Sequence, residues 1–211
     1  MKKLALLLVA ALVVTLISVS CSKKSADPTP KEFSMSTNFE LNFNVGTFSG
    51  SFTNPDNLTA LALMLKKDTL EYERFNIQFN NKGFTLTIDT LSYDRYSYYY
   101  EYVNNGVSKQ TDEMAFQVLV GRWSTADGGH FEVYNTDGTG KMWDPADDVQ
   151  EDEADTFDWS IDENNKMTQI VHYQGGQGEV PQYCNIHTLN TANFKYDNEG
   201  WRATYELIRV Q

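Results

Sequence analysis

The sequence predicts an all-β protein, and two observations carry that expectation. Apolar residues recur at every second position in runs such as FELNFNV, FNIQF, FTLTI and TFDWSI, the period that turns one side of a strand toward a core. Turn signals built on Gly, Asn and Asp separate these runs at strand-like intervals, among them NNKG, NTDGTG, IDENNK and DNEG, as in meandering antiparallel sheets.

The first twenty residues stand apart from this pattern. Lys2 and Lys3 precede an apolar run from Leu4 to about Val19, followed by small residues directly before Cys21. A charged start and a short apolar run make an export signal, too short and too near the start to prefer a spanning helix. The stretch ISVSC resembles the lipobox of bacterial lipoproteins. That resemblance implies a diacylglyceryl group with chains such as palmitate on the Cys21 sulfur, and cleavage of residues 1–20. Two acyl chains hold a protein firmly where one does not. The expected location is the cell envelope of a Gram-negative bacterium, anchored at the outer membrane. An ordinary cleaved secretory peptide is the alternative. No later segment approaches the ~20 apolar residues of a spanning helix.

Charge narrows the partners. The chain has 17 Lys and Arg against 29 Asp and Glu. Loss of residues 1–20 removes two lysines and leaves 15 against 29, a net charge of −14. Such acidity disfavours nucleic acid and anionic lipid and keeps a secreted body soluble. Of the two cysteines, lipid takes Cys21, so Cys184 has no partner for an internal disulfide.

Residues 22–32, SKKSADPTPKE, read as a flexible tether. Residues 33–110 form a β-rich block. Phe39, Leu41, Phe43 and Val45 alternate with polar neighbours, as do Phe75, Ile77, Phe79 and then Phe84, Leu86, Ile88. NNKG makes the hairpin between the last two runs, and NPDN is a further turn. LTALALMLKK fits a helix by composition and a strand by context, and periodicity does not arbitrate over so short a run. The stretch YDRYSYYYEY, residues 93–102, holds six tyrosines. As a strand it puts Tyr96, Tyr98, Tyr100 and Tyr102 on one side. That side reads either as sheet packing or as a stripe for glycan or protein partners.

A boundary follows at residues 110–123, where Thr111, Glu113 and Met114 fit a short helix cap and the residues after Met114 suit the closure of a barrel end. Residues 111–211 then give about eight strands, enough for a small closed barrel whose interior is filled or holds one small ligand. The runs LVGRW, FEVYNTDGTGKM, FDWSIDENNKMTQI and YELIRV resemble the lipocalin-like domains of bacterial lipoproteins over roughly residues 115–211. The resemblance implies that Trp123 of the first strand sits at the closed base of the barrel with Arg209 crossing it, a structural pair. It also implies a small apolar or amphipathic ligand in the barrel, with Trp159 near it. The family disulfide is missing, and an N-terminal block precedes the barrel.

No catalytic constellation is visible, and neither a cofactor nor a metal is expected. Cys184 and His187 lie three apart in a strand and point to opposite faces unless a bulge intervenes, which makes Cys184 a buried, inert thiol. His130, His172 and His187 fall on different strands without metal-ligand spacing. Residues 144–155, DPADDVQEDEAD, hold seven carboxylates. Without the glycine turn of a calcium loop, they read as a solvated connection. Asp-Thr-Leu occurs at residues 68–70 and 89–91, resembling a short O-glycosylation acceptor. The expected function is that of a non-enzymatic, lipid-anchored envelope protein. It binds a small apolar ligand in the barrel, uses its tyrosine-rich face on glycan or protein partners, or is purely structural.

Overall fold

The computed structural model describes residues 31–174, 176 and 178–210; Cys21 and residues 22–30 of the tether lie outside them. The chain divides after Glu32, and Phe33–Gln211 is one compact unit. Its strands are β1 (Ser34–Asn42), β2 (Val45–Thr53), β3 (Leu58–Lys67), β4 (Glu73–Asn76), β5 (Gly83–Ile88), β6 (Arg95–Asn104), β7 (Val107–Gln110) and β8 (Met114–Gln117). They continue with β9 (Gly121–Thr125), β10 (Phe131–Tyr134), β11 (Thr139–Trp143), β12 (Asp155–Ile161), β13 (Lys166–His172), β14 (Glu179–Leu189), β15 (Asn193–Asn198) and β16 (Ala203–Val210). The protein is all-β, as the alternation predicts.

β1, β2 and β5 form a three-stranded antiparallel sheet, and β4, β3, β6 and β7 form a second sheet that β8 joins by pairing with β6. LTALALMLKK is therefore strand, with Leu61, Leu63 and Leu65 buried on its inner side. The helix cap expected at Thr111–Met114 is replaced by a short connection and β8. Met114–Gln117 pairs with Arg95–Tyr98 of β6, so this segment belongs to the N-terminal sheets and the closed barrel itself runs from Gly121. Pairing with a partner some twenty residues earlier outweighs a local cap signal.

The two N-terminal sheets meet through aromatic rings: Phe39 on Phe116 at 4.1 Å, Phe48 on Tyr98 at 5.2 Å and Phe84 on Tyr100 at 5.4 Å. Period two selects these residues, because Tyr96, Tyr98 and Tyr100 share the inner side of β6. Full burial of such side chains stabilises by about 1.5–3 kcal/mol each.

Two substitutions test this packing by urea denaturation. Tyr98→Ala should cost about 3–5 kcal/mol, as for large aromatic truncations in cores. Tyr100→Phe should instead leave stability unchanged or raise it by about 1 kcal/mol. The Tyr100 side chain is 0% exposed and its hydroxyl has no hydrogen-bond partner among the described residues, so removing it relieves an unpaired polar group.

β9 to β16 close into an eight-stranded antiparallel barrel, each strand pairing with the next and β16 returning to β9 through Leu207–Val210 against Arg122–Thr125. Its turns follow the sequence signals. Asp162 accepts from the amides of Asn164 and Lys166, both at 2.9 Å. Asn198 accepts from Gly200 at 3.0 Å and Trp201 at 3.1 Å. Gly140 lets β11 pass beneath an aromatic ring, since a Cβ there would lie 2.3 Å from Phe157 and 2.6 Å from the Val133 carbonyl. One end of the barrel meets the N-terminal sheets. The Phe43 amide donates to the Leu189 carbonyl at 2.8 Å, and the Tyr93 hydroxyl donates to Asn165 at 3.0 Å.

Candidate functional site

The barrel interior is filled by its own side chains. Trp123, Phe157, Met167, Leu189, Phe194 and Leu207 are all fully buried. The expected ligand site beside Trp159 is occupied by protein. Its indole N–H donates to the Thr139 carbonyl at 3.0 Å, and its ring meets the Tyr134 ring edge-on at 5.6 Å. Interiors packed in this way approach the density of organic crystals.

Among these apolar groups runs a polar chain that sequence reasoning did not single out. Glu132 points inward and is 0% exposed. Tyr134 donates its hydroxyl to Glu132 Oε2 at 2.7 Å, and Tyr196 donates to Glu132 Oε1. His130 lies between two carboxyl groups, with Nε2 3.0 Å from Glu132 Oε1 and Nδ1 2.6 Å from Asp144 Oδ1. Gln169 extends the chain by donating to the Tyr134 hydroxyl at 2.8 Å, and the Cys184 thiol lies 3.7 Å from Gln169 Oε1. Burial alone would lower the basicity of His130, but the hydrogen bonds to Asp144 and Glu132 outweigh it and hold its pKa at about 9. At neutral pH His130 is thus an imidazolium donating from both nitrogens. Burial, then the charge of Glu132, raises the hydroxyls of Tyr134 and Tyr196 well above the usual tyrosine range. Burial likewise pushes the Cys184 thiol up to about 12. These groups satisfy one another among buried side chains, so the network orders a core.

The clue in the sequence was the same alternation. In HFEVY, residues 130–134, period two puts His130, Glu132 and Tyr134 on one side and Phe131 and Val133 on the other. Apolar Val133 pulls the reading toward the wrong face.

The other sequence candidates fall as follows. The Arg209 guanidinium carbon sits 4.1 Å from the centre of the Trp123 ring. Arg209 also donates to the carbonyls of Gln117 at 3.2 Å, Val118 at 2.7 Å, Val120 at 2.9 Å and Thr191 at 2.8 Å. It therefore joins barrel to N-terminal sheets. A bulge does occur in β14 between Ile186 and Thr188, yet Cys184 and His187 do not meet. Cys184 is buried, while His187 faces outward against Asp197 at 2.7 Å.

The tyrosine stripe is corrected as a binding platform at Tyr96, Tyr98 and Tyr100, while Tyr102 lines a groove across β3, β4, β6 and β7. Tyr96, Tyr98 and Tyr100 are buried between the sheets, and half-buried Tyr102 packs on Phe33 at 5.3 Å. Tyr99, on the mixed side, is the tyrosine of β6 that reaches the outer face, where Tyr72 meets it edge-on at 4.9 Å.

The acidic run is a largely exposed connection between β11 and β12, tied down at three of its carboxylates. Asp144 holds His130, Glu151 holds Arg122 at 3.0 Å and Lys141 at 2.5 Å, and Asp155 accepts from the Gln174 amide at 2.8 Å. Among the described residues no cluster of His, Cys, Asp and Glu is arranged to hold a metal ion. Thr69 and Thr90 of the two Asp-Thr-Leu triplets are exposed and lie outside the strands.

The N-terminal sheets carry an open concave surface. A groove of about 520 Å³ runs across β3, β4, β6 and β7, lined by Arg74, Glu101, Tyr102, Val103, Ser108 and Lys109 with Ala60 and Gln110.

No protein-family model matches the chain, and no curated protein does. Two solved structures are similar in part. The β-1,3-glucan-binding domain of carbohydrate-binding module family 56 is 21% identical, covers 41% of this chain and 100% of its own, and has a TM-score of 0.31. The family 64 laminaripentaose-producing β-1,3-glucanase from Paenibacillus barengoltzii is 9% identical, covers 73% of this chain and 65% of its own, and has a TM-score of 0.32. At such scores neither likeness bears on what this chain does.

Proposed function

We propose that this is a cell-envelope lipoprotein, anchored through Cys21, that acts as a non-catalytic binding module through its outer surface, with the barrel as scaffold. The filled barrel carries this reading. A lumen occupied by Trp123, Phe157, Phe194 and the Glu132 network has no space for the guest that a barrel-binding protein encloses. Binding then falls to the outside of the body. The closed eight-stranded barrel and the Arg209–Trp123 pair support a lipocalin-like reading of residues 115–211. The n-region, the apolar run and the small residues before Cys21 support the anchor, and an outer-membrane location goes with it.

The purified full-length chain should bind saturably to members of a glycan or protein array and show no saturable response to a library of fatty acids and sterols. Saturable lipid binding that changes the fluorescence of Trp159 would return the site to the lumen and end this reading. The anchor has its own test. Cells fed labelled palmitate should label the wild-type chain and leave Cys21→Ser unlabelled; equal labelling of both excludes lipidation at Cys21.

A further inference from the structure

We infer that the groove on the outer face of β3, β4, β6 and β7 is a binding site for a neutral oligosaccharide; this rests on the surface-binding reading above and gives it a place and a ligand class. The register builds the groove. Residues paired across an antiparallel ladder share a face. One row across the sheet reads Asn76, Ala62, Glu101, Gln110, and the next reads Ala60, Val103, Ser108. Ala60 is the smallest side chain lining the groove and sets its floor, while Ala62 beside it is fully buried. On the other side Arg74 lines the groove, in a row with Met64 and Tyr99 that lies next to it on the same face. The resulting volume of about 520 Å³ falls within the ~300–1,000 Å³ of small-ligand sites.

The chemistry of the fringe selects the ligand. Arg74 reaches over Ala62 to pair with Glu101, and its Nε donates to Asn76 Oδ1 at 3.3 Å. A guanidinium, a carboxylate and the amides of Asn76 and Gln110 present donors and acceptors in adjacent pairs, the match for neighbouring hydroxyl groups. Tyr99 lies two residues from Glu101 on the same side of β6, about 7 Å along a strand. It offers a half-exposed ring to the C–H face of a sugar. Arg74 and Glu101 neutralise each other, which leaves Lys109 as the further charged residue lining the groove. An anionic ligand would have to part them and approach a chain of net charge −12, and a lipid tail would strip water from the polar fringe without replacing its hydrogen bonds. A neutral polyhydroxyl chain meets neither obstacle.

The test titrates the purified full-length chain with short gluco-, xylo- and galacto-oligosaccharides, and with oligogalacturonides as acidic counterparts. Saturable binding of at least one neutral series is expected. The double substitution Arg74→Ala/Glu101→Ala should weaken it about tenfold or more, as for central interface residues. Ser108→Trp, which fills the groove from exposed β7 and leaves the ion pair intact, should weaken it similarly, with the urea midpoint of each variant near that of the wild type. Neutral glycans that bind with equal strength to wild type and Ser108→Trp overturn the groove assignment while leaving surface binding in place. Preference for the acidic series overturns the ligand class. Absence of saturable binding to every oligosaccharide overturns the inference outright, and the surface reading then stands or falls on protein partners.

Discussion

Arg209→Met is expected to be among the most destabilising single substitutions in this protein, costing on the order of 3 kcal/mol or more. Few groups in the chain are asked to satisfy so many others at once. Its guanidinium donates to the carbonyls of Gln117, Val118, Val120 and Thr191 and to the side chain of Gln117 at 3.0 Å, and its face covers the Trp123 ring. Hydrogen bonds to a charged group contribute about 1.5–3 kcal/mol each, and partly buried acceptors left without a donor cost about as much. The cation–π contact adds about 0.5–2 kcal/mol. Burial holds the guanidinium pKa near 10, below its usual range; the fork has given up water and depends on these carbonyls in return.

The effect should also have a signature that loss of core volume would not produce. Residues 117–120 lead from β8 of the N-terminal sheets to β9 of the barrel, so Arg209 clamps the junction. Removing it should split a single urea transition into two, with barrel fluorescence from Trp123 separating from the signal of the tyrosine-rich sheets. Arg209→Lys should recover only a small part of the loss, because one ammonium cannot reproduce a planar fork or lie flat on an indole. A single unshifted transition for Arg209→Met would refute the clamp.

That pair was expected from the sequence through the resemblance of the first and last barrel strands to lipocalin-like domains, and the contact itself is present at 4.1 Å. The strands themselves were legible for a more general reason: a half-buried strand writes its burial into every second residue, and TFDWSI or FTLTI can be read in one direction only. Legibility failed where both sides of a strand carry plausible core residues. In YDRYSYYYEY each side has tyrosines, and only the facing Phe48 and Phe84 of the other sheet decide that Tyr98 and Tyr100 go inside.

It failed again where the structure comes from small residues or distant partners. Ala60 shapes the groove by what it lacks, which leaves no mark on periodicity. Glu132 looks like a surface carboxylate until the barrel closes and brings Tyr196, sixty-four positions later in the chain, against it. β8 looked like a helix start because its partner strand is invisible to a local window.

Glu132 carries the second large expected effect, and it can be read in two independent ways. Glu132→Met should cost about 3–5 kcal/mol, the usual result of removing one side of a buried ion pair, because His130 keeps its proton and loses one of its two carboxylates. The double substitution His130→Leu/Glu132→Met should be less destabilised than Glu132→Met alone, since a well-packed apolar pair replaces charges that each paid for desolvation. The second reading is the pH dependence of the wild type. The pKa of His130 is about 9 in the folded protein against 6.5 for a free imidazole. A group whose pKa rises on folding stabilises fully below its unfolded value and loses that contribution as pH climbs through the folded one. The window is therefore pH 6.5 to 9, and the loss across it is about 3 kcal/mol at ~1.4 kcal/mol per pKa unit. Cys184, with a folded pKa of about 12 against 9.0, adds a further loss only above pH 9, so the two can be separated. Urea denaturation at intervals from pH 6 to 9 should show wild-type stability falling through this range and the curve of His130→Asn staying flat. A flat wild-type curve would mean that His130 is neutral in the folded protein. The Glu132 carboxylate would then be held by the hydroxyls of Tyr134 and Tyr196 alone, and the cost of Glu132→Met should shrink toward that of two hydrogen bonds.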